Sequence, residues 1–124
     1  MSLLLDTHAL LWWLADDPLE PAARARIADP GELVRVSAVS LWEIAIKRAL
    51  GKLEAEASLV SQVRDGGFEP LPITGDHGER AGALPLHHRD PFDRMLVAQA
   101  QAESLTLVTR DRAFDAYEVE LLRC

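Results

Sequence analysis

One cysteine occurs in this chain, and it is the last residue, Cys124. An intrachain disulfide is therefore impossible, and no thiolate cage for zinc can be assembled. Long apolar runs are missing as well. The longest apolar stretch, Leu3 to Leu14, is broken by Asp6 and His8 and falls short of the roughly 18 apolar residues of a membrane span. No basic residues precede it, so it does not read as an export signal, and a cytoplasmic protein with no membrane partner is expected. Basic charge is scarce: 13 Lys and Arg stand against 20 Asp and Glu, a net charge of -7. That deficit argues against the broad basic face of a tight, non-specific nucleic-acid binder. It leaves a nuclease open, because a metal site would own several of the negative charges. Internal repeats, low-complexity tracts and linkers are absent too.

What remains is an ordinary globular composition, 48% hydrophobic over 124 residues, read as one domain spanning residues 1–124. Ser2–Leu5 reads as a short buried strand followed by a helix over Thr7–Ala15. Asp17 and Pro18 end that helix, and a second runs from Glu20 to Ala28 until Asp29-Pro30-Gly31 stops it. Leu33–Ser37 is a β-type stretch. Val39–Leu50 has helical spacing through Val39, Trp42, Ile46 and Leu50, with Gly51 as its cap. Further helices are expected over Ala57–Asp65, Asp76–Ala83, Pro91–Glu103 and Arg112–Ala116. Strands are expected over Phe68–Ile73, Leu105–Thr109 and Val119–Leu122. Strands alternating with helices predict a parallel sheet covered on both faces, and right-handed crossovers make it an open α/β sandwich.

Four acids occupy junctions of this pattern. Asp6 follows the first strand, Glu43 lies in the first turns of a helix, Asp93 sits at the start of another, and Asp111 comes just past the penultimate strand. Open α/β sheets collect ligands at the carboxyl ends of their strands, so all four can face one crevice. Two carboxylates about 5 Å apart repel by roughly 3 kcal/mol at an effective dielectric of 20. A cluster of them therefore takes up protons or holds a hard divalent cation. Each acid also has a purely structural use. Ser40 and Glu43 have capping-box spacing, Glu43 and Lys47 are an i,i+4 pair, and Asp90, Asp93 and Asp111 suit helix starts.

The stretches Leu5-Asp6-Thr7-His8, Ser37 to Ile44, Asp90-Pro91-Phe92-Asp93-Arg94 and Leu107 to Asp111, in this order and at these intervals, make the chain resemble the PIN-domain ribonucleases. Within them it resembles the VapC-type toxins of bacterial toxin–antitoxin pairs. The resemblance implies a three-layer α/β/α fold with a central parallel sheet of about five strands, and an endoribonuclease dependent on Mg²⁺ or Mn²⁺, with Asp6, Glu43, Asp93 and Asp111 as catalytic and metal-binding acids. It implies in-line attack leaving a 5′-phosphate and a 3′-hydroxyl. Thr7, Ser40, Asp90 and Thr109 are expected as supporting residues, Asp90 as a helix cap outside the metal shell. An RNA substrate, a cognate VapB-like antitoxin and a homodimer are the implied partners.

Arg94, Arg110 and Arg112 lie beside these acids and are candidates for steadying phosphate oxygens. His87 and His88, adjacent in a polar loop, are assigned no metal, and His8 is read as a packing residue. The helix containing Trp12 and Trp13 is apolar all round, so part of it is expected to meet an antitoxin or a second copy of the chain. Competing functions are a non-catalytic PIN-like binding module and a nuclease acting on DNA. A phosphatase with a second Asp two residues after its nucleophile is also considered, but His8 occupies that place.

Overall fold

The computed structural model describes residues 2–51 and 58–124. Five strands form one sheet: β1 (Ser2–Leu5), β2 (Leu33–Ser37), β3 (Glu69–Leu71), β4 (Thr106–Thr109) and β5 (Leu121–Arg123). They are arranged in the order β3-β2-β1-β4-β5 and every pair is parallel. Parallel neighbours require crossovers, and among the described residues six helices supply all but the last: α1 (Thr7–Leu14), α2 (Pro21–Ala28), α3 (Ala38–Ala49), α4 (Leu59–Asp65), α5 (Gly75–Ala83) and α6 (Pro91–Glu103). Arg112–Ala116 forms a 3-10 turn instead of an α-helix.

The two-residue period of β1 divides the interior. Leu3 and Leu5 point into a cluster with Leu10, Ile27, Val36 and Ile44, beneath α1 to α4. Leu4, between them, points to the opposite face with Leu96, Val97, Leu107 and Phe114, beneath α6. All three β1 leucines are fully buried, as a central parallel strand demands. The expected three-layer architecture is what the chain adopts.

Three local expectations differ. The last strand begins two residues later than expected, because Leu107 pairs with Leu121 and Thr109 with Arg123. The third strand is only Glu69–Leu71, with Pro70 inside it, consistent with an edge that cannot extend its ladder. Helix α4 starts at Leu59 after a Ser58 cap, and Ala57, where the helix was expected to begin, lies outside the described residues.

Strand order reverses around β1: the chain steps to β2 on one side and later to β4 on the other. The crevice of such a sheet opens beyond the carboxyl ends of β1 and β4. Asp6 leaves one strand there and Asp111 the other.

Candidate functional site

Asp6 begins α1 as its N-cap. Its Oδ1 accepts the Ala9 N–H at 2.7 Å, which satisfies one free amide of the first turn. Its Oδ2 accepts the Thr109 hydroxyl at 2.5 Å, so the end of β4 reaches across to the end of β1. The same Thr109 oxygen accepts the Asp111 N–H at 3.0 Å. Asp111 caps the 3-10 turn with Oδ1, 2.9 Å from Ala113 N, and keeps Oδ2 free of the cap. A single hydroxyl therefore sets the spacing of two carboxylates that are 105 residues apart in sequence.

Asp90 caps α6, its Oδ1 accepting from Phe92 N at 2.8 Å and Asp93 N at 3.4 Å. Asp93 is thus placed in the first helical turn with its side chain free to face the crevice. On α3, Glu43 is buried. Its Oε1 lies 2.7 Å from Thr7 Oγ1, and its Oε2 lies 3.1 Å from Lys47 Nζ. Thr7 Oγ1 is also 3.1 Å from Ser40 Oγ. With one hydrogen, the Thr7 hydroxyl donates to the carboxylate and accepts a hydrogen bond from the Ser40 hydroxyl. Ser40 is not a cap, since Ser37 Oγ accepts the Val39 N–H and starts α3 three residues earlier. The capping-box use of Ser40 and Glu43 is thereby removed. Both turn inward to Thr7.

The four acids feel one another. Burial, the largest influence, raises the pKa of Asp6; its bonds to Thr109 and Ala9 and the nearby His8 work against that rise, while Asp111 adds to it. Asp93 is pushed from 3.8 up to about 7, first by burial and then by Asp90, with Glu43 and Asp6 adding and His88 opposing. Concentrated negative charge with poor solvation is a site that gains from a cation.

His88, left in a polar loop by the sequence, belongs to this group. Its side chain is 18% exposed, and its Nε2 lies 2.9 Å from Asp93 Oδ2 and 3.4 Å from Asp111 Oδ2. Nδ1 accepts the Asp90 N–H at 3.3 Å, an assignment that leaves the hydrogen on Nε2. That nitrogen is buried and lacks a well-aligned hydrogen-bond partner, although both carboxylates are close. His88, Asp93 and Asp111 each bring one potential ligand atom within 4.8 Å of the others. With two carboxylates and one imidazole, partly buried, the set is suited to a divalent cation, and it contains no sulfur that would favour a softer ion. The only sequence signal for His88 was its place two residues before the Asp90 cap. His87 instead turns its ring edge-on to Tyr117, at 5.3 Å.

The arginines part company. Arg94 Nη2 donates to the carbonyls of Ala81 and Leu84, both at 2.9 Å, clamping α6 to the end of α5. Arg110 Nη2 donates to Cys124 O at 2.8 Å and Pro18 O at 3.3 Å, and its guanidinium lies over Trp12. Arg112 is exposed at the start of the 3-10 turn. Of the two adjacent tryptophans, Trp12 lies beside the acids, whereas Trp13 packs against Phe68 and under Arg24. Both are half-buried against the core. The most exposed tryptophan is Trp42 of α3, 60% exposed and edge-on to Phe92 at 5.2 Å.

Comparison with known proteins identifies the family and the fold. The family model for the PIN domain matches residues 3–120. Ribonuclease VapC22 of Mycobacterium tuberculosis is 31% identical over 119 residues, covering 90% of this chain and 88% of its own. A chain in the crystal structure of VapBC2 from Rickettsia felis, bound to a DNA fragment from their promoter, superposes with a TM-score of 0.71. It has 16% identity over 100% of this chain and 99% of that one. The VapBC-5 toxin–antitoxin structure from Mycobacterium tuberculosis contains a chain with TM-score 0.67 and 22% identity, covering 99% and 98%. At these identities the structural likenesses speak for the fold.

Proposed function

The chain belongs to the PIN-domain family, and from that premise we propose that it is a divalent-metal-dependent endoribonuclease, the toxin of a VapBC-type toxin–antitoxin pair. The observation that carries this reading is the Thr109 hydroxyl holding Asp6 at the mouth of the sheet beside Asp111. Convergence of the strand-end acids Asp6 and Asp111 with Asp93, where burial and neighbouring charge raise the pKa of Asp6 and Asp93, has no use in a purely structural end of a sheet.

Asp6, Asp93 and Asp111 would hold the cation through their carboxylate oxygens, directly or through water. When bound, Mg²⁺ or Mn²⁺ supplies Lewis acidity toward a phosphate oxygen and lowers the pKa of water. The remaining work belongs to side chains. Thr109 and the Ala9 amide fix Asp6 in one orientation, and Asp90 fixes the first turn of α6, so that Asp93 enters the crevice at a set angle. Glu43, aligned by Thr7 and Lys47, would accept the proton of the attacking water or complete the ligand set. His88 would donate from Nε2 to whichever carboxylate or phosphate oxygen lies in line with it.

A cognate VapB-like antitoxin and a homodimer are the proposed protein partners. Relatives of this fold occur in VapBC assemblies, and the exposed Trp42 with Phe92 offers an apolar anchor of the kind found at interface centres. No helix among the described residues is long and apolar enough to cross a membrane.

The direct test is cleavage of cellular RNA by the purified chain. Mn²⁺ or Mg²⁺ should permit it, EDTA should silence it, and Asp6→Asn should lack it at any metal concentration. Asp6→Asn cutting at the wild-type rate would remove the site from this reading.

A further inference from the structure

The loop that carries His88 into the site runs from Leu84 to Asp90 and contains no helix or strand. Pro85 and His88 are the first and fourth residues of a turn within it. Such a turn is ordinarily closed by its own backbone, the fourth N–H donating to the first carbonyl. Here the Tyr117 hydroxyl bridges the two groups. It donates to the Pro85 carbonyl at 2.7 Å and accepts the His88 N–H at 2.9 Å. Tyr117 is buried, while Leu86 inside the turn is exposed.

Tyr117 ends the 3-10 turn that Asp111 begins, and Phe114 lies midway between them. Each of the three touches His88. Asp111 Oδ2 is 3.4 Å from its Nε2, the Phe114 and His88 ring centroids are 5.7 Å apart, and Tyr117 holds its amide. A period of about three residues lays such positions along one face, whereas an α-helix would rotate each successive one by about 60°. The 3-10 form of Arg112–Ala116 thus makes one surface of Asp111, Phe114 and Tyr117, and His88 lies on it.

We propose that Tyr117 is a positioning residue of the reaction centre, its hydroxyl fixing the His88 backbone so that the imidazole stays between Asp93 and Asp111. The proposal rests on the ribonuclease reading and adds to it a residue outside the acid cluster. His88 Nε2 lies 2.9 Å from Asp93 and 3.4 Å from Asp111, so a shift of about 1 Å away from them would take it out of hydrogen-bond reach of both. Ring contact with Phe114 tolerates sliding. The hydroxyl does not, because it fixes one donor and one acceptor of the turn at once. Both ends of the loop are held separately: Arg94 binds the Leu84 carbonyl at 2.9 Å, and Asp90 caps α6. Removing the hydroxyl therefore frees the turn and leaves the fold.

The test compares the wild type, Tyr117→Phe, His88→Ala and the double variant, each as the full chain with Mn²⁺ and RNA. Tyr117→Phe should lower kcat roughly 10- to 100-fold with KM little changed, as a misplacement near 1 Å does. The double variant should cut no more slowly than His88→Ala, since the hydroxyl acts only through His88. In the metal-free protein, NMR should show sharp His88 ring signals, identified by their loss in His88→Ala, which broaden or shift in Tyr117→Phe. Tyr117→Phe cutting at the wild-type rate would overturn the proposal. So would a double variant whose loss is the product of the two single losses, the behaviour of a tyrosine that only supports the fold. If Tyr117→Phe does not fold, the wild type alone decides. Its His88 amide should exchange with solvent on the order of 100-fold more slowly than an unfolded chain, and exchange at the unfolded rate would overturn the proposal. No cleavage of any RNA by the metal-loaded wild type would instead defeat the ribonuclease reading, and the role of Tyr117 with it.

Discussion

Asp93 is the residue whose chemistry the site distorts most. With a folded pKa of about 7 against 3.8, the native state holds its proton more tightly than the unfolded chain does. The sign follows directly. The protonated carboxyl leaves the fold at full strength below about pH 4, that contribution is lost as pH rises through 7, and above 7 the cost is constant. In the metal-free protein this group alone therefore makes stability fall between about pH 4 and pH 7. Asp6, raised in the same direction, adds to the slope. Asp93→Asn removes the charge at every pH. It should match wild-type stability near pH 4 and exceed it at pH 8 by on the order of 1–3 kcal/mol, read as a Tm increase of several degrees. RNA cleavage by the same variant should fall by about 10²-fold or more, as when an electrostatic group of a reaction centre is lost. A variant less stable than wild type at pH 8 would show that the carboxylate is not strained by its neighbours.

At the starts of α1 and of the 3-10 turn the capping acid is also a proposed cation ligand, and the two roles can be separated. Asp111 gives Oδ1 to the Ala113 amide and leaves Oδ2 toward His88. Asn caps a helical turn about as well as Asp, while Ala does not. Asp111→Asn should then keep the 3-10 turn and its stability but lose cation affinity. Asp111→Ala should lose both, with about 1 kcal/mol of added destabilisation. Calorimetric Mn²⁺ titration alongside thermal melts would check this; equal melting of the two variants would mean the cap is idle. Placement at element junctions explains what the sequence disclosed. Asp6, Asp93 and Asp111 were legible because each is bound to a strand end or a helix start, features written locally. Helix α3 was misread on its faces: Val39, Trp42, Ile46 and Leu50 have helical spacing, yet Trp42 is 60% and Leu50 63% exposed. The buried face holds Val39, Ser40, Glu43 and Ile44 instead, because two polar residues turn in to meet Thr7. His88 was missed for a different reason, since nothing near it in sequence indicates that its loop folds back over Asp111.

At the scale of the molecule, the fold brings together carboxylates from segments more than a hundred residues apart, with Lys47 beside Glu43 and His88 beside Asp93 and Asp111. The pieces are joined by the β1–β4 pairing and the Thr109 bridge, so the energy of their repulsion is carried by the whole sheet and not by one loop. A ligand that relieves the repulsion should therefore stabilise the fold against global unfolding. Binding to the native state alone contributes RT ln(1 + [L]/Kd), about 2.7 kcal/mol at a hundredfold excess over Kd, and an unfolded chain with scattered carboxylates has little affinity to subtract. For a domain of this size that corresponds to a Tm rise of roughly 5–10 °C. Mn²⁺ should produce it in the wild type at pH 8, EDTA should reverse it, and the gain should shrink as pH falls below 7, where Asp93 takes up the competing proton. Asp6→Asn and Asp93→Asn should each lose most of the gain while melting as single cooperative units. If Mn²⁺ stabilises those variants as much as the wild type, the ion binds elsewhere on the acidic surface, and the carboxylates at the end of the sheet are not its site.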